Sequence, residues 1–293
     1  MPAVPCRRRG QIRCTLESAL YNEMNAVEDR HWWFRARRRI LGHLLARLVP
    51  ACGDRRPRLL DLGCGCGANL AAYARCFDAW GMDLSHPAAA FARRRVGARV
   101  CLGRLPDELP FPPETFDAVV MSDVLEHLDD DRSAVAGAMA LLRAGGVFVA
   151  TVPAGQWLFA PRDVAHHHRR RYARRSLRAL FDGLPARVEL LSHYHCALFV
   201  PAAAVRLWTR LRGRDRVADL SVPRGPINRS LELIFQFERH LLSRIRLPIG
   251  LSLVCAARKT AILPAPASIR LVTGGTDACP RVPRGLPAGA SPH

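Results

Sequence analysis

Lysine is almost absent from this 293-residue chain: Lys259 stands alone against 43 arginines. So lopsided a choice is a bias of the whole sequence, and the formal net charge of +19 then reflects solvated arginines as much as an anionic partner. The basic runs at 7–9, 35–39, 93–95 and 169–171 are dispersed, and no RNA-binding module accompanies them. Nucleic acid is therefore disfavoured, and an anionic lipid surface or an acidic substrate matches the charge better. Also missing is any C-x-x-C pair among the ten cysteines, which excludes the common zinc and dithiol motifs. No run of about 18 apolar residues occurs, the longest, residues 196–205, being too short to span a bilayer. No charged segment followed by an apolar one opens the sequence, and this reading places the chain in the cytoplasm.

What is present is an ordinary globular composition, 49% hydrophobic, in a length that suits one domain with an added subdomain. The most informative stretch is residues 58–67, Arg-Leu-Leu-Asp-Leu-Gly-Cys-Gly-Cys-Gly. A short apolar run holding Asp61 reads as a buried strand, and residues 68–76 read as the helix after it. Between them Gly63, Gly65 and Gly67 let the backbone turn tightly and approach a ligand, with the helix N-terminus beyond. A pyrophosphate-binding fingerprint places its third glycine one residue later. Here an acid sits inside the motif, and Asp61 suits a cationic ligand better than a phosphate. Cys64 and Cys66 take small-residue positions in the loop. A second strand over 79–84 carries Asp83 near its end, about 20 residues on, where a ribose-binding acid is expected.

This arrangement resembles the class I S-adenosylmethionine-dependent methyltransferases. The resemblance implies a Rossmann-like α/β fold, a seven-stranded mixed sheet with helices on both faces and a helical insertion before the last strand. It implies that the loop packs under the amino-acid moiety of S-adenosylmethionine and that Asp83 holds the ribose hydroxyls, with Leu84 beside it. The order of segments continues in the family's way. A fourth strand over 115–121 leads into Ser122-Asp123-Val124-Leu125-Glu126-His127-Leu128, which resembles the region bordering cofactor and acceptor, so Ser122, Asp123 and Val124 are expected near the cofactor. Asp129-Asp130-Asp131 open a helix through Leu142, acids favouring its positive end, and 147–153 read as the fifth strand. After the third strand, residues 98–102, Gly103 stands where many relatives carry an adenine-binding acid, so adenine recognition falls to backbone groups there.

Two further regions bear on the acceptor. Residues 28–38 set His31, Trp32, Trp33 and Phe34 among charges, which by itself describes a helix packing aromatics on the sheet with arginines in water. The run also resembles the "E-x-x-HWWF-x-x-R" opening of a bacterial methyltransferase subgroup, which implies a lid in which His31, Trp33 and Arg37 close the site. Past the fifth strand, at the sheet edge where open α/β folds bind ligands, His168, Arg171 and Tyr172 fit an "H-x-x-RY" element of that subgroup and are expected to line the acceptor pocket. Three adjacent histidines at 166–168 rarely point at one ion. Asp123, Glu126 and His127 resemble a grouping that binds a divalent ion in ubiquinone-pathway O-methyltransferases, with Asp replacing the longer acid. No metal is assigned. Ser176 is read as the cap of the next helix, through Asp182, and 187–194 as a strand.

Within the insertion, about 196–247, Ile227, Leu231, Ile234, Leu241 and Ile245 recur at helical spacing. They suit a cap over the acceptor side or a membrane-facing hairpin flanked by Arg206, Arg210 and Arg212. Residues 1–19 read as a flexible extension, 20–258 as the domain and 259–293, rich in Pro, Gly and Ala, as a disordered tail. The expected activity is methyl transfer to a hydroxyl of a small molecule, sugar or lipid-linked glycan, with peripheral contact at the inner membrane face. An RNA or protein methyltransferase and a non-catalytic cofactor-binding scaffold are the alternatives, and glycine spacing disfavours a nicotinamide-dependent oxidoreductase. His127 is the candidate general base, its ordinary pKa of about 6.5 suiting that role. A histidine packed at the strand end is the plain alternative.

Overall fold

The computed structural model describes residues 21–50, 53–97, 99–211 and 222–261. The extension expected at 1–19, Arg212 and the tail beyond 261 lie outside the described residues, as do the side chains of Arg206 and Arg210.

Seven strands form one sheet: β1 Arg58–Leu62, β2 Asp78–Asp83, β3 Val100–Leu102, β4 Phe116–Ser122, β5 Leu142–Pro153, β6 Ala186–Tyr194 and β7 Ser252–Lys259, in the order β3-β2-β1-β4-β5-β7-β6. The first five are parallel, and β7 runs antiparallel between β5 and β6. The parallel strands are apolar on both sides because both faces are covered. Successive residues point to opposite faces: Val119 and Met121 join one core with Phe148 and Phe181, while Ala118 and Val120 join the other with Val147, Leu41 and Leu45.

The helices are α1 Trp32–Leu48, α2 Ala68–Tyr73, α3 His86–Val96, α4 Asp131–Leu141, α5 Pro161–Ala165, α6 Arg174–Ala179, α7 Phe199–Leu211 and α8 Gly225–Leu242. Local chemistry sets several starts. The Ser85 hydroxyl accepts from Ala88 N–H at α3, and the Asp130 carboxylate from Ser133 N–H at α4; each satisfies an otherwise unpaired donor of the first turn. In α6 the expected cap moves. Ala173 is the N-cap and Ser176 lies three residues inside, its hydroxyl accepting the Ala173 N–H at 3.0 Å. That helix ends at Ala179, three residues before Asp182.

Other boundaries also differ from the sequence reading. α2 stops at Tyr73 instead of Cys76. β5 begins at Leu142, directly after α4, so residues 143–146 are strand and not turn. β7 continues through Lys259, placed by sequence in the tail. Lys259 pairs with Ala186, is 1% exposed, and donates from Nζ to the Leu142 carbonyl at 2.7 Å.

The insertion helix α8 lies alongside α1. Trp32 stacks on Phe235 with ring centroids 4.9 Å apart, and Arg35 and Arg39 both pair with Glu232. Its buried residues are Glu232, Phe235, Glu238 and Leu242, so Ile227 and Ile234, expected to face inward in a cap, are half or more exposed, and Ile245 lies past the helix end. The expected periodicity is present, but the inward stripe is a mixed one whose two carboxylates find partners. Glu238 accepts the N–H groups of His195 at 2.6 Å and Cys196 at 2.8 Å, fixing the loop after β6.

Gly67 stands where two helices meet with no room for a side chain. Its φ is +87°, and a Cβ there would meet Ala92 Cα at 2.7 Å, backbone against backbone between α2 and α3. Gly67→Ala combines a left-handed conformation with an overlap that cannot rotate away. It is expected to lower unfolding free energy by about 2 kcal/mol or more, read by denaturant titration against Gly42→Ala, where φ is ordinary and a Cβ would meet open space.

Candidate active site

The sheet order reverses between β1 and β4, and the crevice at the carboxyl ends of such strands is where open α/β sheets hold ligands. Three acids converge there: Asp61 in β1, Asp83 ending β2 and Asp123 just past β4. Asp61 is 1% exposed, and neither carboxylate oxygen has a hydrogen-bond partner among the described residues. Burial raises its pKa to about 7, partly offset by Arg37 and reinforced by Asp83.

The glycine loop is held from both sides. The N–H groups of Gly63 and Cys64 donate to the Met82 carbonyl at 2.8 and 3.0 Å. The N–H of Gly65 donates to one Asp83 oxygen at 2.8 Å and that of Ser85 to the other at 2.9 Å. Asp83 thus fixes loop against strand at the place where sequence expected a ligand acid. Gly63, at φ +74°, allows Val124 to lie where a Cβ would come within 2.5 Å of its Cγ2. Gly103 donates its N–H to the Asp83 carbonyl at 3.1 Å, Leu84 is exposed, and Ser122 closes β4. Burial raises the thiol pKa of Cys64 well above its ordinary value and that of Cys66 to about 12; both fill space as neutral thiols.

The N-terminal segment enters this crevice. His31 caps α1, its Nδ1 accepting the Trp33 N–H at 3.2 Å. One turn on, the buried guanidinium of Arg37 pairs with Asp123 and lies 4.3 Å from the Trp33 ring centroid. Arginines left in water, the plainer reading of this run, do not describe Arg37. Asp123 sits at φ +55°, its N–H donating to the Thr151 carbonyl at 2.9 Å, and Thr151 Oγ1 donates to Oδ1 at 3.0 Å. Asp tolerates that left-handed conformation better than most residues. Residues 21–31 pack over the loop: Met24 Cε lies 3.2 Å from where a Gly65 Cβ would stand, and Glu28 pairs with Arg95 at 2.9 Å.

On the acceptor side, His127 ends the 3₁₀ turn Leu125–His127, and its ring centroid is 4.8 Å from that of His168. His127 is exposed at the rim of the crevice, and desolvation by the protein around it, then the neighbouring His168, lowers its pKa to about 4. His168 Nδ1 meets Asp163 Oδ1 at 3.0 Å, and Arg171 donates to the same oxygen from Nη2 at 2.7 Å. Although burial opposes ionisation, these two hydrogen bonds hold Asp163 well below the usual carboxylate range. Arg171 is thereby engaged by Asp163 and the Ala154 carbonyl. Tyr172 does not reach a pocket. It is 2% exposed, its hydroxyl donating to Asp131 Oδ2 at 2.6 Å within the core.

Asp163 and His195 are site neighbours that sequence does not single out, and Glu126 is named there only beside Asp123 and His127. Glu126 is fully buried with both oxygens unpartnered among the described residues. His195 lies behind Trp33, its pKa lowered by burial to about 3. Nothing local in the sequence marks Asp163 or His195, whose partners lie on other elements.

Comparison with known proteins agrees with this layout. Residues 60–150 match the family model described as Methyltransferase domain. An O-methyltransferase of Penicillium expansum is 32% identical over 111 residues, 35% of this chain and 39% of that one. A protein of Mycolicibacterium smegmatis named Probable S-adenosylmethionine-dependent methyltransferase is 35% identical over 132 residues, 43% and 48%. The chain spans about half the length of the curated relatives it matches. Among solved structures, a Haloferax volcanii protein in complex with the Trm112 methyltransferase activator superposes with a TM-score of 0.53 at 19% identity, over 84% of this chain and 96% of that one.

The Asp61 carboxyl has a measurable consequence. Its folded-state pKa, about 7, lies above its ordinary 3.8, so the folded chain keeps a proton that the unfolded chain gives up. Stability then falls as pH rises from about 4 to about 7, by up to about 1.4 kcal/mol per unit. Asp61→Asn removes that loss. The variant is expected to melt higher than the parent at pH 8, with the gap closing towards pH 4, in thermal unfolding without ligand.

Proposed function

We propose that the chain, which carries a class I S-adenosylmethionine-dependent methyltransferase domain, moves the methyl group of that cofactor to a hydroxyl of a small molecule, sugar or lipid-linked glycan. The observation that carries the reading is Asp61. A buried carboxylate without a partner costs free energy unless a cation meets it, and S-adenosylmethionine brings an ammonium and a sulfonium. The site residues fit that cofactor. Asp61 would hold the ammonium, the loop at Gly63–Gly67 would lie beneath the amino-acid moiety, and Asp83 would meet the ribose. Gly103 stands where many relatives carry an adenine-binding acid, and its own N–H is already given to Asp83.

The bound sulfonium supplies an activated methyl group for in-line displacement. The chain's share is alignment and exclusion of water, effects that supply about 7–11 kcal/mol in well-oriented systems. α1 serves both: Arg37 locks it to Asp123 while Trp33 and Phe34 cover the crevice. His127 is neutral at pH 7 because its pKa is held near 4, so its ring is free of a proton and able to accept one from a hydroxyl, a contribution of about 10²–10⁴-fold in general-base catalysis.

Calorimetric titration with S-adenosylmethionine is expected to give one site whose affinity rises with pH up to about 7, since Asp61 must release its proton to pair with the ammonium. Asp61→Asn is expected to weaken binding at least tenfold and remove that slope. His127→Ala is expected to spare binding and slow turnover. Absence of binding at millimolar cofactor would sink the reading.

Support for a lipid-linked acceptor comes from α8. Ile227, Leu233, Ile234 and Phe237 are about half exposed or more, Arg224, Arg229 and Arg244 are exposed on the same helix or its ends, and its two acids face inward. An apolar row with basic flanks fits an anionic bilayer surface. No helix among the described residues is long and apolar enough to cross a membrane. Phosphatidylglycerol vesicles are expected to co-sediment the chain more than phosphatidylcholine vesicles, and Phe237→Glu to abolish the difference. Equal sedimentation with both would remove the lipid surface from the proposal.

A further inference from the structure

Glu126, His127 and His168 bring one carboxylate oxygen and two imidazole nitrogens within 4.8 Å of one another. Sequence sets Glu126 and His127 beside Asp123, but the structure turns Asp123 to Arg37 and brings in His168, 41 positions after His127. Three features of the surroundings go beyond chance proximity. The Glu126 carboxylate is fully buried and neither oxygen has a hydrogen-bond partner among the described residues, a costly arrangement without a cation. His168 meets an acceptor-only carboxylate, Asp163, through Nδ1, so its Nδ1 carries the proton and its Nε2 presents a lone pair. Asp163 is itself held by Arg171 from two nitrogens and by the Ala160 N–H. A carboxylate behind a histidine, fixing tautomer and ring direction, is the support that metal-ligating histidines ordinarily have.

The backbone holds the two halves together. Arg169 N–H donates to the Glu126 carbonyl at 2.8 Å, and Arg169 Nε donates to the His127 carbonyl at 2.9 Å. The segment carrying His168 is therefore fastened to the turn carrying Glu126 and His127 by bonds that need no ion. Ligands around a tetrahedral ion at about 2.1 Å sit about 3.4 Å apart, so modest side-chain rotation within this frame closes the set. Two imidazoles and one carboxylate select a borderline divalent transition ion such as Zn²⁺ over Mg²⁺ or Ca²⁺, which prefer oxygen alone.

We propose that Glu126, His127 and His168 form a binding site for one divalent transition-metal ion on the acceptor side of the crevice, with Asp163 as the positioning residue for His168. Three protein ligands leave a coordination position open, and a hydroxyl or phosphate oxygen of the acceptor is the chemistry that would fill it. With the ion bound, His127 is a ligand in place of a base, and the ion itself would lower the pKa of a hydroxyl it holds. The role toward the acceptor rests on the methyl-transfer reading; the ion site itself does not.

The test uses the full chain, stripped with a chelator and titrated with Zn²⁺ by calorimetry without cofactor, then with Co²⁺ while visible absorption is followed. One ion per chain with micromolar or tighter affinity is expected, together with ligand-field bands of low-symmetry Co²⁺. His168→Ala and Glu126→Gln are each expected to weaken binding at least tenfold, and Asp163→Asn to weaken it by about tenfold. Glu126→Gln removes an unpartnered buried charge, so it keeps the test decisive should His168→Ala fail to fold. No binding, or binding that Glu126→Gln leaves unchanged, overturns the proposal, the second result assigning the ion to other histidines. S-adenosylmethionine titrated separately distinguishes this failure from failure of the methyl-transfer reading.

Discussion

One buried guanidinium organises this molecule. The carboxyl ends of β1, β2 and β4 gather Asp61, Asp83 and Asp123, with Glu126 one turn further on; Asp61, Asp83 and Glu126 are buried and Asp123 is partly so. Each buried carboxylate opposes its own ionisation, and like charges nearby add to the penalty. Arg37 is the cation brought from elsewhere in the chain. It pairs with Asp123, and its charge also lowers the Asp61 and Glu126 pKa values against the burial that raises them. Removing one partner of a buried ion pair generally costs about 3–5 kcal/mol because the other is left uncompensated. Ile40, Leu41, Leu44 and Leu45 seat α1 on the core, and the Arg37–Asp123 pair fixes how its first turns lie over the crevice. Trp33 covers the guanidinium face, a contact attractive in its own right, and Trp32 turns the other way onto Phe235.

That pairing explains why the insertion matters to a site it does not enter. α8 carries Glu232 and Glu238 on its buried side. Glu232 meets Arg35 and Arg39 on α1, two residues either side of Arg37, while Glu238 accepts the backbone of the loop after β6. The helix is held by paired polar groups on its inner face, which frees its apolar residues to point outward. An amphipathic helix with its apolar side in water is unusual in a monomer. The inversion follows once the inner face is recognised as an ion-pair seam.

Much of this was legible in the sequence because the cues were local. The strand, glycines and helix at 58–76 carry their own turn chemistry, and parallel strands read as apolar runs wherever both faces are covered. Asp61 was visible as an acid within the loop, and its orphaned state in the structure is the physical form of that cue. What stayed hidden depended on partners distant in sequence. Ser176 looked like a cap because it precedes an apolar helix, but its hydroxyl serves the Ala173 N–H from inside the first turn. Tyr172 looked like a pocket residue because it follows a histidine and arginines, yet Asp131, 41 positions earlier, takes its hydroxyl into the core. Helical period located α8 and could not say which side would be buried, since the answer lay in arginines near 200 positions upstream.

The same distinction separates cofactor from acceptor chemistry. The cofactor half is built from residues 61–67 and 83–85, backbone amides and acids close in sequence, whose roles follow from turn geometry and charge. The acceptor half joins Glu126 and His127 to Asp163, His168 and Arg171 through side chains and a few backbone bonds. Such a frame fixes directions precisely at a few atoms and leaves the surrounding loops free to vary. A fold can therefore carry one cofactor through many acceptors. In this chain the fixed atoms are a buried carboxylate without a partner among the described residues and an imidazole oriented by Asp163, and on the proposed reading an acceptor would have to bring chemistry that satisfies them.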